Sequence, residues 1–332
     1  MRTSSWSDRL ARVAGNGGVV WLVVGILLVI ALLYAKNFAT PGNLNNVSRQ
    51  GAILAIVGLA QFLVVLLGHV DLSIAANAKL TAILAALVMD GSDANLPTGI
   101  LVAVLVGIAV GALNTLVVVV LKVESFIATL GTAAIVQGVA LYIAPTPVGK
   151  SAPALTAFYG AQTVGGIYVI VVGVAVIWIA AWFLLTKTVW GRHVFAAGGN
   201  PEVAALSGVR VPLVQAGGFL ISGLLGGLAG LLFLAGAGVG DPAAANGLEF
   251  TALAVVVIGG ASLEGGRGRL IGLLGGVLLF ALLGNVFNLL RIEVWYQQLF
   301  RGLIILIAAA LFVRGVSRVR RFRRRPLAPV PS

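Results

Sequence analysis

Ten apolar runs divide the chain, near 19–35, 48–67, 72–89, 97–121, 125–144, 165–185, 213–236, 250–262, 270–290 and 299–313. A helix needs about 20 residues to cross about 30 Å of hydrocarbon, and most of these runs are close to that length. The run 250–262 has only 13 residues, or about 20 Å of helix at about 1.5 Å per residue. It either borrows neighbouring residues or is a half-helix. The pattern predicts an all-α polytopic membrane protein with about ten transmembrane helices. Composition agrees, because 60% of the residues are hydrophobic and only 10% are charged. A soluble domain carries about 25% charged residues, so this chain cannot cover a surface facing water.

Charge gives the orientation. With the N-terminus inside, 16 of the 22 Lys and Arg residues fall in inner segments, as the positive-inside rule expects. An even number of spans with both termini in the cytoplasm follows. Seven arginines crowd into 314–332. They read as a topology anchor beside anionic lipid, so the net charge of +12 does not argue for nucleic acid. The start, 1–18, is basic, and the apolar run after it is long and lacks an A-x-A cleavage site. It reads as a retained first span rather than a signal peptide. The organisation expected is a cytoplasmic segment 1–18, a transmembrane domain 19–313 with a long inner loop at 186–212, and a basic cytoplasmic tail 314–332.

That inner loop holds a polar island, GGNPEVAALSGVRVP (198–212). Asn200 can cap a helix, Pro201 suits its first turn, Glu202 favours the positive end of the helix dipole, and Gly208 can end it. A helix of about seven residues is expected, far too short to span a bilayer. Helix packing is also legible. Gly218, Ser222, Gly226 and Gly230 recur every four residues, as do Gly268, Gly272 and Gly276, and each row is a smooth stripe where another backbone can approach. VVLLGHVDLS (64–73) and VVVIGGASLE (255–264) match at four of ten positions. Paired interruptions in two halves of a transporter mark a central site, but Gly-rich turns between spans also look alike by chance, and both readings stay open.

Several tempting motifs fail. APTPVGKS (144–151) loosely resembles a phosphate loop, but it follows an apolar span and is interrupted by prolines, where a phosphate loop needs a strand before it and a helix after it. Any ATP-driven work therefore needs a separate subunit, and no cofactor is expected on this chain. The chain has no cysteine and two histidines, His69 and His193, which lie in different loops without a ligand cluster. No metal site and no nucleophile–base pair is expected, so the chain is not read as an enzyme. EGGRGR (264–269) is a basic turn, either a topology element or a partner contact. Polar side chains inside apolar runs carry more meaning, because a span tolerates them only if they pair or face water. Gln61, Asp71, Ser73, Asn77, Lys79, Asn114, Asn285 and Asn288 are the candidates for a hydrophilic route, with Gln137 inside a further span. Interhelical hydrogen bonding is the alternative for any one of them. Lys79 sits mid-span on a face shared with Asp71, Ala75, Ala78, Ala82 and Ala86. Asp71 is about 12 Å away along the axis, too far to pair with it.

GHVDLSIAANAKL (68–80), AAGGNPEVAALSGVRV (196–211), AVVVIGGASLEGGRGRLIG (254–272) and NVFNLLRIEVWYQQLFRGLIIL (285–306) resemble the permease subunits of bacterial ATP-binding-cassette (ABC) importers. The branch is that for ribose, xylose and similar monosaccharides, relatives of the branched-chain amino-acid permeases. The resemblance covers roughly 45–313. It implies a type II-like permease fold in the cell inner membrane that carries a monosaccharide-like solute. The implied partners are cytoplasmic ATP-binding subunits, a periplasmic solute-binding protein, a second permease copy and membrane lipid. It also implies that the 198–208 island is a coupling helix docked on the ATPase, carried by Gly199, Asn200, Pro201, Glu202, Ala204, Ala205, Ser207 and Gly208. Two positions depart from the pattern. His69 replaces a glycine, and Lys79 replaces an apolar or small residue, so the solute need not be an ordinary neutral pentose. A branched-chain amino-acid or nucleoside permease remains the alternative within the superfamily, and an independent secondary transporter is the alternative of another class. Reporter fusions after residues 92 and 242 should read periplasmic, and fusions after 205 and 325 cytoplasmic. A periplasmic C-terminus overturns this topology.

Overall fold

The computed structural model describes residues 18–293, 295–300, 302, 303 and 306. Most of the apolar run 299–313, the segment 1–17 and the tail 314–332 lie outside the described residues. The described residues contain helices and two isolated bridges, Val148 with Gly240 and Gln162 with Tyr168. The helices are α1 (Gly18–Tyr34), α2 (Pro41–Leu66), α3 (Ile74–Met89), α4 (Leu96–Asn114), α5 (Ser125–Ile143), α6 (Pro153–Gly160), α7 (Val169–Lys187), α8 (Val189–Gly199), α9 (Pro201–Leu206), α10 (Val211–Ala237), α11 (Leu248–Ile258) and α12 (Leu270–Leu289). A π-helical stretch, Thr115–Val120, continues α4. Among the described residues, six helical segments are long and apolar enough to cross a membrane, and α1, α3 and α11 are shorter apolar helices. Nine of the ten apolar runs are thus helical.

Local chemistry explains where the helices begin and stop. The apolar run near 48 sits inside a helix that starts seven residues earlier. Thr40 caps α2 through Asn43 N–H at 3.4 Å, and Pro41 holds its first turn. Two helices stop by one device. At the end of α2, Gly68 N–H donates to Val65 O at 2.9 Å and His69 N–H to Val64 O at 3.1 Å. After α11, Gly260 N–H donates to Val257 O at 3.0 Å and Ala261 N–H to Val256 O at 3.1 Å. Both are Schellman ends, and the glycines take φ of +82° and +85°, the left-handed value that favours glycine. The two similar stretches therefore share a backbone shape, with Gly68 equivalent to Gly260. Residue matching puts Gly68 opposite Gly259, one position away, because sequence identity does not see which glycine is left-handed.

Pairwise contacts fix the directions of the helices. Along α10, Gly218 faces Leu67, Ser222 bonds Asp71, Gly226 faces Asn77 and Gly230 faces Thr81, so α3 and α10 run parallel. Phe219, Gly223 and Gly227 of α10 meet Gly111, Gly107 and Ala103 of α4, so that pair is antiparallel. Gly58 of α2 faces Val277 and Leu273 of α12, and Gly51 faces Ala281, again antiparallel. One end of the bundle therefore gathers 66–68, 188–211 and 260–269. The opposite end gathers 35–40, 90–95, 144–168 and 238–240.

The core lies around α2, α3 and α10, and every residue of Leu54–Leu66 is buried. The outer helices α1, α4, α5 and α7 expose Leu22, Leu101, Ile127 and Ile179, surfaces suited to lipid. The predicted stripe on α10 faces α3, and a second row, Gly223 and Gly227, seats α4. A Cβ on Gly107 would lie 2.6 Å from Gly223 O, and one on Gly111 would lie 2.6 Å from Phe219 O. Backbones that close leave no room for a methyl group. The phosphate-loop-like stretch 144–151 lies against the far end of α3, where Lys150 N–H donates to Ala86 O at 3.2 Å and Ser151 N–H to Gly238 O at 2.8 Å. It closes that end and has no strand before it.

Gly107→Ala should lower the melting temperature of the purified protein in detergent, since overpacking costs about 1–3 kcal/mol. Gly131, which a Cβ would leave without a neighbour within 4 Å, is the control. There Gly→Ala should be neutral or stabilising by up to about 1 kcal/mol.

Candidate functional site

Polar groups gather where the helices are interrupted. The first cluster is built on Asp71, in the non-helical link between α2 and α3. Asp71 is 1% exposed. Its Oδ1 accepts from Ser73 N–H at 2.9 Å, Ser73 Oγ at 2.6 Å and Asn114 Nδ2 at 3.3 Å, and its Oδ2 accepts from Ser222 Oγ at 2.9 Å. Asn114 Nδ2 also donates to Ser73 Oγ at 2.8 Å. Asn77 extends the cluster, donating to Gly223 O at 2.8 Å. Ser222 lies 11 residues into α10, so this carboxylate sits about 16 Å from that helix's start. A buried carboxylate needs donors on both oxygens, and the link between α2 and α3 brings it to them. The sequence reading had given Ser222 a packing role only. Its place among the polar side chains depends on which residue faces the stripe, and spacing does not disclose that.

The second cluster surrounds Lys79, which is 4% exposed. Its Nζ donates to Gln137 Oε1 of α5 at 2.5 Å and to Asn246 Oδ1 at 2.7 Å. Its direct partners are therefore neutral amides. Asp241 and Glu249 are close enough to act on its charge. Asn246 is in the non-helical segment 238–247, which leaves the end of α10, passes Ala86 and Ile83 at Gly240, and descends to Lys79. Helix α11 therefore begins part-way down α3 and is a half-helix of 11 residues.

The remaining candidates lie elsewhere. Asn285 and Asn43 exchange hydrogen bonds at 2.7 and 3.0 Å, and Asn288 accepts from Gln297 at 3.0 Å. Both join α12 to its neighbours at the far end of the bundle. Gln61 is fully buried, and neither of its amide atoms finds a partner among the described residues. His69 approaches Gln215 at 3.0 Å and stacks near Phe219.

The third assembly is at the other end. The long inner loop folds into two helices, α8 and α9, where the sequence had shown only one. Asn200 caps α9, accepting from Val203 N–H at 3.0 Å, and Gly208 follows with φ of +85°. Ala204 turns inward and is buried, while Val203 is 57% and Leu206 90% exposed. The contact surface α9 offers is thus Val203, Ala205 and Leu206. Ala204, expected among the outward contacts, packs beneath them. Directly before α9, three turns meet backbone to backbone. Gly266 N–H donates to Leu66 O at 2.8 Å. A Cβ on Gly198 would overlap Leu66 O, and one on Gly265 would lie 2.5 Å from Gly198 O and 2.7 Å from Gly68 N. The ends of α2 and α8 and the turn after α11 are therefore locked into one rigid junction.

The family described as branched-chain amino acid transport system / permease component matches residues 43–309. The chain is 33% identical over 292 residues to the ribose import permease protein of Escherichia coli strain K12, covering 86% of this chain and 91% of that one. The ribose import permease protein of Bacillus subtilis is 35% identical, with 86% and 89% covered. The D-allose transport system permease protein of Escherichia coli is 34% identical, with 89% and 93% covered. No solved structure matches the chain.

Ser222→Ala and Asp71→Asn should each destabilise the protein, by about 1–3 kcal/mol for a lost hydrogen bond to a charged group. The double variant should lose less than the sum of the two, by at least about 0.5 kcal/mol. Thermal unfolding of the four proteins in one detergent checks this, and strict additivity would mean that the two side chains do not interact.

Proposed function

The chain belongs to the branched-chain amino acid transport system / permease component family, and on that premise we propose that it is the membrane-spanning subunit of an ABC importer for a monosaccharide-like solute. The observation that carries the solute class is kinship, over most of the chain's length, with permeases whose names specify ribose, allose and, in Azospirillum brasilense, L-arabinose. In this reading a separate cytoplasmic subunit hydrolyses ATP, a periplasmic binding protein delivers the solute, and a second permease copy completes the path across the inner membrane. Both termini are cytoplasmic.

The geometry supports a division of labour. Helix α9 is short, capped and outward-facing, with Val203 and Leu206 exposed. So short a helix is marginal in water and is steadied by a partner. The partner assigned to it is the ATP-binding subunit. A displacement of α9 passes to the junction of Gly198, Leu66 and Gly266, because backbones in contact cannot move independently. From there it reaches both interrupted helices, α2 with its link to α3, and α11. The polar clusters at Asp71 and Lys79 sit along those same elements. A carrier working alone has no use for an exposed apolar helix linked in this way.

Leu206→Glu tests the docking role, because the side chain is exposed and its replacement does not disturb the core. The permease should insert at normal levels while co-purification of the ATP-binding subunit falls at least about tenfold, since a buried unpaired charge costs several kcal/mol. Normal assembly and normal ATP-driven uptake would remove α9 from the coupling role. Ala204→Glu should instead reduce the amount of folded permease, because that side chain is buried.

A further inference from the structure

At the end of the bundle opposite α9, a cavity of about 400 Å³ opens between Gln50 and Ile53 of α2, Phe233 of α10, Asn246, Thr251 of α11 and Phe280 of α12. Its volume falls within the range of small-molecule sites, about 300–1,000 Å³. Its chemistry is mixed and neutral. Thr251 Oγ1 donates to Gly247 O at 3.0 Å, which leaves its lone pairs as acceptors. Gln50 Nε2 donates to Asn46 Oδ1 at 3.3 Å, which leaves Gln50 Oε1 free to accept. Two phenylalanines supply apolar wall.

The donor is Asn246, and its orientation is set from outside the cavity. An ammonium group only donates, so the hydrogen bond from Lys79 Nζ requires Asn246 to present Oδ1 to the lysine. The Nδ2 group is then turned the other way, and no described residue accepts from it. Lys79 itself stays covered behind Asn246 and Gln137. Glu249 and Asp241 act on its positive charge from the same side. A solute carboxylate would also meet those two acids, whereas hydroxyl groups can both accept from Asn246 and donate to Gln50 and Thr251. Sugar C–H faces suit the phenylalanine walls.

We propose that this cavity is a solute-binding station on the transport path, that Asn246 Nδ2 is its orienting donor, that Lys79 is a positioning residue for that donor, and that the station takes neutral polyhydroxylated solutes and rejects sugar acids. The unusual lysine thus tunes a contact without touching the solute. The proposal rests on the monosaccharide-permease reading.

The test combines two measurements on the full chain. Saturation-transfer NMR with purified permease in lipid nanodiscs uses D-ribose, D-allose, L-arabinose and D-galacturonate as probes. Uptake of the same four by cells carrying the complete importer is measured alongside. Wild type should bind and import at least one neutral sugar and give no response to galacturonate. Asn246→Asp keeps an acceptor for Lys79 but removes the donor, so binding and uptake of that sugar should fall by about tenfold or more, the equivalent of one hydrogen bond. Its membrane insertion and melting temperature should stay normal. Lys79→Met should weaken binding, and Lys79→Arg should restore most of it. Normal sugar binding by both Asn246→Asp and Lys79→Met, or a galacturonate signal in wild type, overturns the station while leaving the sugar-permease reading intact. If wild-type cells import none of the four solutes, the parent reading itself fails, and the station with it.

Discussion

In hydrocarbon a backbone N–H or C=O without a partner costs several kcal/mol, and no water is available to supply one. Every interruption of a helix at membrane depth must therefore be closed by the protein itself. The described residues include two interruptions that carry polar clusters, 67–73 and 238–247, and much of the architecture is arranged around their repair. The ends of α2 and α11 that lie on the α9 side of the bundle fold back on themselves at Gly68 and Gly260. Asp71 supplies a side-chain acceptor where the link has no helix to complete. At the opposite end, Gly240 and Val148 exchange both backbone hydrogen bonds at 2.9 Å, and 149–151 ties onto Ala86 and Gly238. The irregular segments are thus permitted only where other segments cover them.

Repair at close range requires small residues. Gly107, Gly111, Gly223 and Gly227 bring α4 and α10 to backbone contact, and Gly198, Gly265 and Gly266 do the same for three turns at the α9 end. Lipid gives helices no hydrophobic reason to associate, so this contact is itself a large part of what holds them. Contact at this range also makes the junction stiff. A stiff connection between the exposed helix α9 and two interrupted helices is the mechanical arrangement that the proposed coupling to an ATP-binding subunit needs. The structural economy and the functional reading therefore come from the same glycines.

Polar side chains fall into two kinds. Asn285 with Asn43, and Asn288 with Gln297, satisfy one another at the far end and join helices. Asp71, Asn114, Ser222, Lys79 and Asn246 instead concentrate at the interruptions. Gln61 and the Asn114 Oδ1 are left without partners among the described residues, and an unpaired buried amide is costly. Such groups are suited to a protein whose helices rearrange, because another arrangement can offer them partners.

Hydropathy alone located nine of the helices, because lipid imposes a length and a polarity that a run of residues must meet by itself. The start of α9 was legible for a similar reason, since Asn200, Pro201 and Glu202 act within one turn. The short run 250–262 left two readings open, and the 11-residue α11 is the half-helix of the two. Other features were decided only by tertiary structure. Which face of α9 turns outward depends on what packs under Ala204, so Leu206 could not be singled out from spacing. Lys79 was visible as an oddity, yet its partners are separated from it by 58 and 167 residues, and no local rule pairs them. Ser222 looked like one more small residue in a stripe until the link at 67–73 brought a carboxylate against it. Solvent preference and helix capping act through neighbours in the chain, and the sequence records them directly. The polar clusters and the glycine junction come from segments far apart in sequence, and only close packing in three dimensions selects them.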